Sequence, residues 1–152
     1  MTAPDPAQPE MINDGHCFAC GPYSEIGLRL VFAVSAERTV RAETVLAAPY
    51  QGWRGVAHGG IVMTLIDEGM AHAAGAAGYR GVTGEVRVRF RKPVPIGAPL
   101  AIEGRVLWQR GKVLGVSATV SDEAGTLLAS GEGASVRLAS LPEDVAPGSP
   151  VK

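Results

Sequence analysis

The spacing of apolar positions changes period twice along this chain. Leu28 to Ser35 and Thr39 to Leu46 predict two strands around the turn Ala36-Glu37-Arg38. A loop, Gln51-Gly-Trp-Arg-Gly55, comes next, and the pattern then turns helical. It starts near His58 or Gly59, runs to about Ala77 and stops before the turn-like Gly78-Tyr79-Arg80-Gly81. Alternation returns in Glu85 to Arg91, where Val86, Val88 and Phe90 share one face while Glu85, Arg87, Arg89 and Arg91 share the other. Beyond Pro93-Val-Pro-Ile-Gly97, three more strands are predicted over Leu100–Gln109, Val113–Ser121 and Thr126–Leu138, joined by short polar links that suit hairpins.

Two strands, one helix and four strands exclude a doubly wound parallel sheet, because every parallel crossover needs its own helix. The pattern predicts an α+β domain, a mostly antiparallel sheet with one helix across its face. Residues 1–12 and 141–152 combine Pro, Gly, Ala, Ser and charge without periodicity and are expected to be disordered tails around a domain at 13–140. Of the 152 residues, 46% are hydrophobic, enough for one core; only 5% are aromatic, so Val, Leu, Ile and Ala must build it. The net charge of −1 supplies no field favouring nucleic acid or an anionic membrane. The N-terminal residues show no basic start and no apolar core of a signal. Ile61–Ala77, the longest apolar stretch, is short for a membrane span and carries Asp67 and Glu68. A cytoplasmic protein with neither nucleic-acid nor membrane partners is the expectation.

Four stretches carry a family resemblance. They are Cys17-Phe-Ala-Cys-Gly21 with Gly27-Leu-Arg-Leu30, Gln51-Gly-Trp-Arg-Gly-Val-Ala-His-Gly-Gly60, Thr64-Leu-Ile-Asp-Glu68, and Val86-Arg-Val-Arg-Phe-Arg-Lys-Pro93 with Gly97. Together they make the chain resemble the hotdog-fold thioesterases, specifically the PaaI-like branch, over about residues 15–139. The resemblance implies a curved, mostly antiparallel sheet of five to six strands wrapped around one long helix. It also implies homodimers that join two sheets into one, or homotetramers, and an acyl-CoA substrate with no cofactor.

Thioester hydrolysis needs a donor for the carbonyl oxygen as it becomes negative, and a group that attacks or activates water. Gly59 and Gly60 fall at the helix N-terminus, where the first amides lack intrahelical partners and the dipole is positive. By the resemblance, the Gly59 amide is the oxyanion donor; on local sequence alone, a flexible helix start explains both glycines equally well. Asp67 is a carboxylate among Leu65, Ile66, Met70 and Ala71, costly to bury unless paired or used. The resemblance makes it the catalytic carboxylate, either nucleophile or general base. Glu68 is the competing acid, with His72 within reach at i+4 as a structural partner. His58 has two open readings, donation to the thioester or ordering of its loop. Thr83 matches a position near the attacking water in relatives, although threonine also simply favours strands. Gln51, Gly52 and Trp53 are expected at the mouth or acyl pocket, and Gly60 among the substrate-binding residues. Arg91 and Lys92, at a strand end, are candidates for the CoA phosphates, while Arg87 and Arg89 read as a solvated face.

A helix rises about 1.5 Å per residue, so Asp67 lies about 12 Å along the axis from Gly59. Both cannot reach one carbonyl from a single subunit, and if both act the site must lie between two chains. Two positions depart from the family pattern: Gly52 stands where relatives carry an amide side chain, with Gln51 adjacent, and Ala71 where aryl-preferring relatives carry a hydroxyl. The acyl group, small aryl or medium-chain, is therefore open. A hotdog dehydratase lacks its acid–histidine pair here. A non-catalytic acyl-CoA binding module on the same fold is the non-enzymatic alternative. His16-Cys17-x-x-Cys20 offers three clustered zinc ligands with Asp14 a poor fourth, so no metal site is expected and the thiols read as reduced and packed beside Phe18.

Overall fold

A computed structural model describes residues 12–138. The tails expected at 1–12 and 141–152 lie outside the described residues, apart from Ile12. The strands are β1 (Ala33–Ala36), β2 (Thr39–Val45), β3 (Gly81–Phe90), β4 (Pro99–Arg110), β5 (Val113–Asp122) and β6 (Leu127–Arg137), with the helix α1 (Gly59–Ala76) between β2 and β3. A short 3-10 turn, Ala48–Tyr50, precedes the helix. The six strands form one antiparallel sheet in the order β1-β2-β4-β5-β6-β3. The α+β reading is therefore correct, with six strands rather than five.

Helix and sheet meet through alternation of the two periods. Val62, Leu65, Ile66, Gly69, Met70 and Ala73 are buried on one side of α1. They face Leu100, Ile102 and Val106 of β4, Leu114, Val116, Ala118 and Val120 of β5, and Leu128 and Ala129 of β6. The helix packs chiefly on β4 and β5. The approach is closest at Gly104, where an added Cβ would stand 1.8 Å from the Gly69 carbonyl oxygen. A side chain there is incompatible with the packing, and this contact sets the helix at a fixed height over the sheet. At its far end α1 closes in a Schellman motif: Gly78 takes φ +76, its amide bonds Gly75 O at 2.9 Å, and the Tyr79 amide bonds Ala74 O at 3.0 Å.

Two expectations are corrected. The first strand spans only Ala33–Ala36, not Leu28–Ser35. Leu28 and Leu30 do alternate inward, but their amides bond the loop carbonyls of Phe18 and Ala19, each at 2.9 Å, and Arg29 at φ 50 breaks the extended run. The segment is held by the N-terminal loop instead of a neighbouring strand. The strand expected from Glu85 starts earlier, at Gly81, and carries a bulge between Thr83 and Glu85. It is the last strand of the sheet, so its outer edge has no partner among the described residues. No helix among these residues is long and apolar enough to cross a membrane.

Candidate active site

The helix start is organised by His58. It is the N-cap of α1, its carbonyl accepts from the Ile61 and Val62 amides, and its Nδ1 accepts from the Gly60 amide at 2.9 Å. An accepting Nδ1 puts the proton of the neutral ring on Nε2. The loop-ordering reading of His58 is thus what the geometry displays. The same contact occupies the Gly60 amide within its own subunit. Gly59 remains. Its amide has no hydrogen-bond partner among the described residues. An added Cβ at Gly59 would meet nothing nearer than the Phe90 ring at 3.7 Å, an ordinary contact. Packing within the subunit does not demand glycine there, whereas an approaching ligand would.

Asp67 sits two turns further along, half-buried on the flank of α1 that faces β3. Thr83 Oγ1 donates to Asp67 Oδ1 at 2.6 Å. The bulge next to Thr83 turns this part of β3, and the pair lies at the unpartnered edge of the sheet. Thr83 and Asp67 are thus brought together, and Oδ2 is not held by the threonine.

Glu68 is not part of this group. One residue on, it points about 100° around the helix, and its Oε2 lies 3.3 Å from Nε2 of His72. Its side chain is 15% exposed and that of His72 only 6%. The i,i+4 proximity expected of Glu68 and His72 is present, but the two atoms form no hydrogen bond, and Glu68 stands apart from the Thr83–Asp67 pair.

Gln51 closes its own loop, its Oε1 accepting from the Gly55 amide at 3.2 Å. Gly52 itself sits against His58. Trp53 projects from the same loop, 85% exposed, and with Met63 and Phe90 it leaves apolar surface open around the helix start. Phe90 shares its strand face with Val86 and Val88 as alternation predicts, yet it is 55% exposed, because it stands at the sheet edge beyond the helix start rather than under the helix. Arg91 stays with Arg87 and Arg89: the three line a shallow depression with Ser117, Thr119 and Ser130. Ser117 and Thr119 alternate with the buried Val116, Ala118 and Val120, so this is the sheet face turned away from α1. Arg91 Nε donates to Ser130 Oγ at 3.3 Å. Lys92 is exposed just past the end of β3, its amide on the Leu128 carbonyl.

Sequence reading missed one assembly. The loop thiols of Cys17 and Cys20 fold onto Glu68, and one ligand atom from each lies within 4.8 Å of the others. The Glu68-x-x-x-His72 spacing was a visible signal, but nothing local tied it to a Cys-x-x-Cys about fifty residues earlier. Burial, together with the Glu68 carboxylate and the Cys17 thiol, pushes the Cys20 thiol far above its ordinary value.

Comparison with known proteins agrees with this architecture. The profile of the thioesterase superfamily matches residues 54–129. A solved thioesterase superfamily protein is 27% identical with a TM-score of 0.79, over 86% of this chain and 68% of its own. The Escherichia coli PaaI protein from the phenylacetic acid degradation operon is 20% identical with a TM-score of 0.68, over 73% of this chain and 80% of its own. A Streptococcus mutans protein bound to acetyl CoA is 21% identical with a TM-score of 0.65, over 72% and 88% respectively. No curated protein matches the sequence. The profile spans half of the chain, and the surrounding sheet and helix are those of the solved relatives: the chain belongs to the thioesterase superfamily and carries the hotdog fold of its PaaI-like members.

Proposed function

We propose that this protein is a cytoplasmic acyl-CoA thioesterase whose active site is shared by two copies of the chain. The Gly59 amide of one copy receives the carbonyl oxygen of the thioester, at the positive end of α1. Asp67 of the other copy attacks the carbonyl carbon or takes a proton from the water that does. The oxygen becomes negative, the tetrahedral centre collapses, and the C–S bond breaks. Either route consumes one water and releases the free acid and CoA. A thiol is acidic enough, near pKa 8.5 for cysteine, to leave without a strong acid beside it. One carboxylate and one oxyanion donor therefore suffice.

The observation that carries this reading is the Thr83–Asp67 hydrogen bond at an open sheet edge. Thr83 holds one carboxylate oxygen and fixes its direction, leaving the other for the substrate or water. The separation of about 12 Å along one helix keeps Asp67 away from its own Gly59, and the unpaired edge of β3 offers the means of bringing in a second copy. A long unpaired edge strand is a template for pairing, and the apolar surface of Trp53, Met63 and Phe90 needs cover from a partner or an acyl group. Pairing of two β3 strands in a homodimer would continue the sheet, and a homotetramer would add a second pair. The acetyl CoA held by the Streptococcus mutans relative supports a CoA ester as the ligand class. The acyl group is read as small aryl or medium-chain.

Subunit mixing tests the shared site directly. Asp67→Asn and Gly59→Val are each expected to abolish thiol release from a panel of aryl- and alkyl-CoA esters. Unfolding and refolding the two variants together at equal amounts should restore about a quarter of wild-type activity, because half the dimers are mixed and each mixed dimer has one intact site. A mixture as dead as its parents would overturn the shared site. If the wild type binds the esters without turning any over, the catalytic reading falls and a binding module replaces it.

A further inference from the structure

The N-terminal loop and the middle of α1 meet at a cluster that the proposed reaction does not use. The loop turns tightly at Cys17-Phe-Ala-Cys-Gly21, closed by the Gly21 amide on Cys17 O at 2.8 Å. An added Cβ on Gly21 would stand 2.4 Å from the Cys17 nitrogen and the Gly15 carbonyl oxygen, so the turn leaves no room for a side chain. Both thiols are thereby presented toward α1. There they meet Glu68, with ligand atoms of Cys17, Cys20 and Glu68 within 4.8 Å of one another.

Behind this triad stands His72. Its side chain is 94% buried, being 6% exposed, and its ring is stacked on Phe32, with centroids 4.4 Å apart. Nε2 of His72 and Oε2 of Glu68 are both buried, and neither has a hydrogen-bond partner among the described residues, although they lie 3.3 Å apart. Two such atoms left unpaired in a folded interior are costly. They are explained if both address a third body. Two ligands bound to zinc at about 2.0–2.1 Å in a tetrahedron are themselves about 3.3 Å apart.

We propose that Cys17, Cys20, Glu68 and His72 form a tetrahedral site for a thiophilic divalent cation, zinc, which clamps the N-terminal loop onto α1. The donor set selects the metal. Two thiolates favour zinc over magnesium or calcium, and an imidazole and a carboxylate complete a borderline set. Binding displaces the thiol protons to solvent and places a positive charge among groups that otherwise repel one another. Asp14, the fourth ligand that sequence spacing suggested, is not in the cluster: its Oδ1 accepts the His16 amide at 2.9 Å. Cys17, Cys20 and Glu68 are already gathered, whereas the His72 ring stands outside that 4.8 Å group and must turn toward the metal to complete a closed, structural site.

The test uses the full chain purified with reductant and without added metal. Elemental analysis should find about one zinc per chain. Replacing zinc with cobalt(II) should give the strong visible bands of tetrahedral cobalt together with thiolate-to-cobalt charge transfer. Cys20→Ser and His72→Ala should each weaken cobalt binding at least about tenfold, while Asp14→Asn should bind as wild type does. Removal of the metal from the wild-type chain by a chelator should lower the melting temperature by about 5 °C or more, and added zinc should restore it. Variants that fail to fold leave the chelator experiment decisive. A folded, reduced wild-type chain that takes up neither zinc nor cobalt would overturn the proposal. So would cobalt spectra without thiolate charge transfer, or a melting temperature indifferent to chelator.

Discussion

Asp67 and Glu68 are neighbours in sequence, yet the fold gives them opposite surroundings. Asp67 lies half-buried on the β3 flank of α1, held by a single hydroxyl at an open sheet edge. Glu68 lies under the N-terminal loop, with two thiols and a buried imidazole around it. A turn of about 100° on one helix separates a carboxylate left available for chemistry from one enclosed by its own chain. The acid at the open edge is the one suited to act. A carboxylate shut under a loop of its own chain is a structural fixture, and one that keeps an oxygen free at an open sheet edge can attack or take a proton.

The sharpest way to break this comparison is to substitute both acids. Asp67→Asn is expected to cut thiol release from the best CoA ester at least about a thousandfold, the range for losing a general base or nucleophile. Its melting temperature should stay within about 2 °C of wild type, since an amide of the same shape replaces the carboxylate and keeps an oxygen to accept from Thr83. Glu68→Gln is expected to do the reverse. It should lower the melting temperature by about 5 °C while kcat falls no more than about tenfold. Thermal melts and steady-state kinetics on the same preparations decide the matter. Equal losses of activity from both would mean that the two acids belong to one site.

Thr83 sharpens the Asp67 side. Thr83→Val removes the hydrogen bond to Oδ1 and should lower kcat about tenfold with KM little changed, the effect of losing one hydrogen bond to a charged group. Thr83→Ser keeps the hydroxyl and should recover most of that loss. A serine variant as poor as the valine would show that the methyl group and the strand, not the hydroxyl, matter at this position.

Much of this arrangement was legible in the residues, for unequal reasons. The helix and the five longer strands follow from period alone, because alternation and the i, i+3, i+4 stripe are local. Leu28–Phe32 misled for a local reason too: it alternates like a strand, but its amides bond a loop. Thr83 and Asp67 are sixteen residues apart on different elements. No local pattern links them, and the sequence reading named each without joining the two. The Cys17, Cys20, Glu68 and His72 cluster depends on how a loop without periodicity folds back over the helix, and spacing does not encode that. Two adjacent glycines look alike in sequence, whereas the N-cap ring engages the Gly60 amide and leaves that of Gly59.

That selection by His58 yields the smallest effect and separates two roles of one residue. His58→Ala removes the acceptor for the Gly60 amide and should cost about 1 kcal/mol of stability, as losing an N-cap does. His58→Asn supplies another good N-cap acceptor and should restore the melting temperature. If capping is the whole of its role, asparagine also keeps kcat within about threefold of wild type, because the Gly59 amide stays where α1 places it. Recovery of stability without recovery of kcat would instead assign the Nε2 proton of His58 to the thioester. The geometry at the helix start favours the first result, since the ring already has a partner in Gly60 and Gly59 has none.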